Sequence, residues 1–366
     1  MHCASLGEFE QGRPLLEALK KNDPSLQVAL SFFSPSGYEV MKDYKGADLV
    51  FYLPMDAPSH ARNLLNVLRP SLVLWVKYEF WFHYLDEIKR REIPLILVSG
   101  IFRSSQPFFK WYGGIWRSML GCFTRLFVQN EESVELLKGL GIDQRVSLTG
   151  DTRFDRVIAI AAEFEPVPFI TEFCGNSKVL VAGSTWEEDE VELLHFTKMH
   201  PEMKFIIAPH VIDEENLADV KKIFPDSVFY SQLGQTINNN PPASNILIID
   251  NMGSLSRLYK YAHIAYIGGG FGEDGVHNVL EAAVYGKPVV FGPVYHKFDE
   301  AVELLEAGGG ISYSNPLGLE AILDEFLNTG EKMAAAEKAA RDFVYANAGA
   351  TQKIAAYIQE NRLLTN

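Results

Sequence analysis

Short, continuous apolar runs rich in β-branched residues alternate along this chain with longer amphipathic runs. No other feature constrains the fold as much. The spacing predicts a helix over 12–21, then strands at 27–33 and 49–53. A helix over 57–68, a strand at 72–76, a helix over 81–91 and a strand at 94–99 follow. After residue 175 the pattern resumes with strands at 179–182, 205–208, 246–249, 264–267 and 289–291. Helices over 187–199 and 213–223 lie among them. Unbroken apolar strands separated by helices imply parallel sheets covered on both faces, an α/β chain. The rhythm weakens over 163–176, where a domain boundary is expected. The Asn- and Pro-rich stretch 234–245 reads as a surface loop. The expected layout is two Rossmann-like, doubly wound domains, 1–160 and 175–345. A C-terminal helix within 346–366 packs back toward the first. Ligands are expected in the cleft between them, at the carboxyl ends of the strands.

The 366 residues, 47% hydrophobic and 22% charged, suffice for two cores. A net charge of -14 argues against nucleic acid as a partner, because that binding needs basic surface. The three cysteines form no CxxC pair, so neither a disulfide framework nor a structural zinc site is indicated. No apolar run approaches the ~18 residues that span a bilayer, and no signal peptide is visible. The opening Met-His-Cys-Ala-Ser-Leu-Gly-Glu reads as the end of a strand entering a helix. The start of that strand is expected to lie upstream, in a trimmed segment.

The segment richest in candidate chemistry is 262–293. A strand runs into Gly268-Gly269-Gly270-Phe271-Gly272-Glu273-Asp274-Gly275-Val276-His277-Asn278, and a helix is expected from about Asn278 to Tyr285. Glycines let backbone N–H groups approach a ligand, and a helix N-terminus favours a phosphate. His277 and Glu281, four apart, would share a helix face, and Glu281 could hold a ribose diol. The plainer reading is a glycine-rich turn with Glu281 serving the helix dipole. Ser5, Gly7 and Glu8 sit at the first strand-to-helix turn. There Glu8 reads equally as a helix-start carboxylate or as a base that accepts a hydroxyl proton. Thr185 and Glu188 fit a capping box, and the Ser184 and Thr185 hydroxyls could also reach a phosphate. Lys77 and Glu79 end the strand at 72–76, among aromatics that read mainly as core. His210 ends another strand. No nucleophilic triad, phosphate-binding Walker loop or metal-ligand spacing is present, so no metal is expected.

Residues 93–130 contain no acid, yet hold Arg103, Lys110, Arg117 and Arg125 among eight Phe, Trp and Tyr side chains. Such a stretch suits an anionic lipid surface. The alternative is a buried helix pair with ordinary surface cations.

Taken in order, these segments resemble the 3-deoxy-D-manno-octulosonic acid (Kdo) transferases of lipopolysaccharide synthesis. The resemblance runs from His-Cys-Ala-Ser-Leu-Gly-Glu through Gly-Asp-Thr-Arg-Phe-Asp (150–155) and Ala-Gly-Ser-Thr (182–185). It continues to His-Asn-Val-Leu-Glu-Ala-Ala (277–283) and Gly-Lys-Pro-Val-Val-Phe-Gly-Pro (286–293). Asp250 to Leu255, with Met252 and Gly253, looks like the family's Asp-Thr-Met-Gly-Glu-Leu stretch.

The resemblance implies a GT-B glycosyltransferase that moves Kdo from CMP-Kdo to a lipid A precursor without a metal or other cofactor. It implies an N-terminal acceptor domain, a C-terminal CMP-Kdo domain, and work at the cytoplasmic face of the inner membrane with an N-terminal anchor upstream of this chain. The family's catalytic Glu falls on Glu8, and the Glu of its Glu-Leu-Trp motif on Glu79. Its nucleotide-binding helix falls on 275–281. Ser5, Gly7, Glu79, Arg153 and Lys297 are then expected near acceptor or Kdo. Ser184, Thr185, His210, Met252, Gly253, Gly269, Gly270, Gly275, His277, Asn278 and Glu281 are expected near the nucleotide. Three departures stand out: Arg153 for the family's frequent Lys, Ala208 where Pro-Arg-His would begin, and Ser254 where Glu is common.

Overall fold

The computed structural model describes residues 1–77, 79–239 and 244–364. Its contacts divide the chain into two units, residues 1–156 with 347–366, and residues 157–346. The change of unit falls inside the helix Thr152–Ala162, ahead of the compositional break at 163–176.

The first unit carries β1 (His2–Cys3), β2 (Ala29–Phe32), β3 (Leu49–Tyr52), β4 (Val73–Val76), β5 (Leu95–Gly100), β6 (Arg125–Val128) and β7 (Val146–Leu148). They form one parallel sheet in the order β3-β2-β1-β4-β5-β6-β7. Central β5 is buried at all six positions, whereas edge β3 is partly exposed. Alternate side chains serve opposite faces, as the pleat requires. Val76, Ile96, Val98 and Phe127 meet Phe9, Leu15 and Ile354, while Trp75, Leu95, Leu97 and Leu126 meet Leu85, Phe102 and Phe123. Ile354 belongs to the helix Ala350–Glu360, so this last helix completes the first unit's core. Its start is fixed by Asp155, which accepts from the Gly349 N–H at 2.6 Å and the Thr351 N–H at 2.7 Å.

The second unit carries β8 (Val179–Thr185), β9 (Lys204–Pro209), β10 (Val228–Phe229), β11 (Ile246–Ile248), β12 (Ile264–Ile267), β13 (Val289–Phe291) and β14 (Gly310–Ser312). The parallel order is β10-β11-β9-β8-β12-β13-β14. One face of this sheet buries Leu180, Ala182, Phe205, Ile207, Tyr266 and Val290 against Leu193, Phe196 and Leu323.

Strands β6, β7, β10 and β14 are not among those read from the sequence. The loop expected over 234–245 is corrected at its start, since a helix runs Tyr230–Asn239. Residues 240–243 of that expectation lie outside the described residues.

Candidate active site

In the first sheet the crossovers leave β1 toward β2 and return to β4 on its other side. At such a switch the connections diverge and the carboxyl ends of the strands form a crevice. Ser5, extended at φ -134°, caps the helix Leu6–Asn22, and its hydroxyl accepts from the Glu8 N–H at 3.4 Å. Gly7 is exposed. Glu8 is only 8% exposed, and its Oε2 accepts from the Ala4 N–H at 2.5 Å. Burial, and then the Glu8 charge, push the Cys3 thiol well above its usual range, so Cys3 is no nucleophile.

One turn further, Gln11 is buried; with its amide turned so that the oxygen faces the cations, it accepts from Lys77 Nζ at 3.0 Å and Arg153 Nε at 3.1 Å. Lys77 follows β4 with φ +57°, a left-handed conformation that costs a non-glycine residue about 1–3 kcal/mol. Arg153 Nη2 lies 2.8 Å from Oδ2 of the buried Asp151. Thr152 donates to the Gln11 carbonyl at 2.5 Å and meets the Ser99 hydroxyl at 2.9 Å. The Glu8 carboxylate therefore lies one helical turn from Gln11, which joins two cations, and Asp151 pairs with Arg153. Glu79 is half-buried and accepts from the Trp81 indole at 2.9 Å. Tyr78, between Lys77 and Glu79, lies outside the described residues. A cavity of about 390 Å³ in this unit is lined by His2, Val73 and Leu74 among others, and holds none of this cluster.

In the second sheet the switch lies between β8 and β12. Ser184 takes φ +54° where the β8–β9 register shifts. The capping box expected from Thr185 and Glu188 does not form. Thr185 still belongs to β8, so the helix Glu187–Met199 starts one residue late, with Trp186 as its cap. Asp189 takes the reaching-back position and accepts from the Trp186 N–H at 3.0 Å. The buried Thr185 hydroxyl instead donates to Glu190 at 2.8 Å and does not face outward.

Three rings converge above this turn. Trp186 stacks on His210 at 4.8 Å, His210 stacks on His277 at 4.4 Å, and the Trp186 indole donates to His277 Nε2 at 3.1 Å. Burial lowers both histidine pKa values, His277 to about 4, against the opposing charge of Asp274. Neutral imidazole is what an Nε2 acceptor requires.

The glycine loop binds largely to itself. Gly268 donates to Gly183, Gly272 to Gly269, Val276 to Val294 and His277 to Gly268. Gly269 (φ +88°) donates to Asp189 at 2.9 Å, and a Cβ on Gly270 would sit 2.5 Å from the Gly292 nitrogen. Self-packing thus explains these glycines, and fewer amides are open to a ligand than the sequence suggests. The following helix is also shorter than expected. It spans Leu280–Ala283, because Asn278 Oδ1 accepts from the Leu280 N–H at 3.1 Å. Glu281 pairs with Asn278 Nδ2 at 3.1 Å while His277 turns to Trp186, so the two do not share a helix face. Met252 is 81% exposed beside Gly253 at φ +87°. Lys297 is exposed and donates to the Glu273 carbonyl at 2.8 Å.

The basic, aromatic stretch divides. Phe102, Phe108, Phe123 and Phe127 are core, and Arg117 and Arg125 bond backbone carbonyls. Trp111, Tyr112 and Ile115 remain exposed, as does Arg103. Gln11, Asp151, Trp186 and Asp189 were not singled out as site residues by sequence.

Two parallel, doubly wound units with these switch points define the GT-B class. Solved structures agree on the fold: UDP-GlcNAc 2-epimerase from Neisseria meningitidis matches with a TM-score of 0.68 at 16% identity over 98% of each chain. MurG from Acinetobacter baumannii matches at 0.60 and 12%, again over 98% of each. Residues 1–156 match the model of the 3-deoxy-D-manno-octulosonic-acid transferase (kdotransferase) family. Over most of its length the chain is similar to curated Kdo transferases. It is 28% identical to the enzyme of Aquifex aeolicus, over 92% of this chain and 88% of that one. It is 25% identical to that of Haemophilus influenzae, over 97% and 84%. A bifunctional glycosyltransferase/methyltransferase of Fusobacterium nucleatum is 28% identical over all of this chain, which spans about half (55%) of that protein.

Proposed function

We propose that the protein is an inverting glycosyltransferase that moves Kdo from CMP-Kdo to a lipid A precursor of the lipid IVA type. The observation that carries this reading is the buried Glu8 carboxylate at the β1/β4 switch, one helical turn from Gln11 and the cations it joins. A sugar hydroxyl of the acceptor gives its proton to Glu8 as its oxygen attacks the anomeric carbon of Kdo. The C–O bond to phosphate breaks, and CMP leaves with the electron pair. Arg153 and Lys297 are the candidate partners for the Kdo carboxylate and the leaving phosphate, in a reaction that takes no metal. The second unit serves as the nucleotide unit, with the stacked Trp186, His210 and His277 rings and with Glu281, whose carboxylate suits a ribose diol.

Among the described residues no helix is long and apolar enough to cross a membrane. The reading places the protein at the cytoplasmic face of the inner membrane through the exposed Trp111–Tyr112 patch. Mass spectrometry of a lipid A precursor incubated with enzyme and CMP-Kdo tests the function. A gain of one or more Kdo units is expected, and none would sink it. Calorimetry with CMP against UDP separates this reading from a UDP-sugar enzyme on the same fold.

A further inference from the structure

We infer that Asp189 is a positioning residue that holds the glycine loop and Trp186 in register behind the nucleotide site. This rests on reading the second unit as the donor unit. Asp189 is 1% exposed, and no cation pairs with it among the described contacts. Three donors converge on its carboxylate instead. Oδ2 accepts from the Trp186 N–H at 3.0 Å and from the Gly269 N–H at 2.9 Å. Oδ1 accepts from the Tyr266 hydroxyl at 2.7 Å, which meets the Tyr313 hydroxyl at 2.9 Å.

One oxygen therefore ties the start of the helix after β8 to the loop after β12, across the switch between those strands. Gly268 is pressed against the same atom, since a Cβ there would lie 2.8 Å from Oδ2. The tie also aims the indole, because the Trp186 ring leaves the very residue whose N–H is held and reaches His277 and His210. Without the carboxylate, two backbone N–H groups lose their acceptor in a buried setting, which a short glycine-rich loop relieves by moving.

Asparagine separates this role from simple filling of space. Its one oxygen can keep both N–H groups while its amide turns to Tyr266, whose hydroxyl accepts as well as donates. Asp189→Ala is expected to raise the Kd for CMP about tenfold or more, with amide exchange accelerated over 266–277 and unchanged in the first unit. Asp189→Asn is expected to restore affinity to within about threefold of wild type. Tyr266→Phe, which removes one anchor, is expected to accelerate exchange over the same residues.

A folded Asp189→Ala protein with wild-type CMP affinity and wild-type exchange overturns the inference. If that variant does not fold, unchanged exchange and affinity in Tyr266→Phe overturn it. A wild-type protein that takes no CMP defeats the donor reading instead, and loop exchange in Asp189→Ala then decides the positioning role alone.

Discussion

Glu8 Oε2 sits 2.5 Å from the Ala4 amide nitrogen, across the turn that joins β1 to its helix. The bond aims a buried carboxylate without neutralising it, as a base for a hydroxyl proton requires. Glu8→Ala is expected to cut turnover about 10²–10⁴-fold while CMP binding by calorimetry stays unchanged, because Glu8 lies in the unit that the reading assigns to the acceptor. Turnover within a few-fold of wild type would remove Glu8 from the base role.

Arg153 neutralises the buried Asp151 at 2.8 Å. Arg153→Ala leaves that carboxylate without its ion partner and Gln11 with one cation fewer. The expected loss is about 1–3 kcal/mol of stability, read from urea unfolding, together with a raised KM for the donor. Arg153→Lys keeps the charge but not the two-nitrogen grip and should fall between.

Burial lifts the Glu190 carboxyl from 4.5 to about 7, against the Thr185 hydroxyl bond that favours its charged form. Between those pH values the folded chain binds the proton that the unfolded chain has lost. Its contribution to stability therefore falls as pH rises from about 4.5 through 7. Glu190→Gln cannot ionise and is expected to be more stable than wild type at about pH 8, by about 1–3 kcal/mol, with the gain gone near the lower value. His277, lowered to about 4, acts in the opposite sense: its contribution is present above 6.5 and is lost as pH falls toward 4. Melting curves of the variant and wild type across this range check the sign.

Trp111 is 92% exposed, beside Tyr112 at 54%. If this patch enters an anionic bilayer surface, Trp111→Ala lowers binding to anionic vesicles about three- to tenfold in a sedimentation assay. CMP affinity should not change. Equal sedimentation of variant and wild type would leave the patch without that role.

Strand β5 and the run into Gly268 were legible because a strand buried on both faces must be apolar throughout, whatever its neighbours. The 185–189 turn was misread for the opposite reason. Thr185 fits a cap by type, but the sheet keeps it in β8 and passes the cap to Trp186. The helix over 278–285 shrank likewise, since its early residues answer to Asn278 and Trp186 rather than to helix propensity. The first unit's cluster was only half visible. Glu8 and Lys77 lie at recognisable strand ends, but Gln11 and Arg153 stand far apart in the chain and no local rule joins them.

The sequence by itself determined the alternation of strand and helix, and with it two parallel sheets whose strand ends carry the polar residues. Apolar burial and chain connectivity are properties that a linear pattern records. The tertiary structure alone decided which polar groups meet: Gln11 with Lys77 and Arg153, Asp189 with Gly269 and Tyr266, and Trp186 with His210 and His277. Those meetings depend on strand order and on the direction of each side chain to within a hydrogen bond's length, and neither is written in the spacing of residues along the chain.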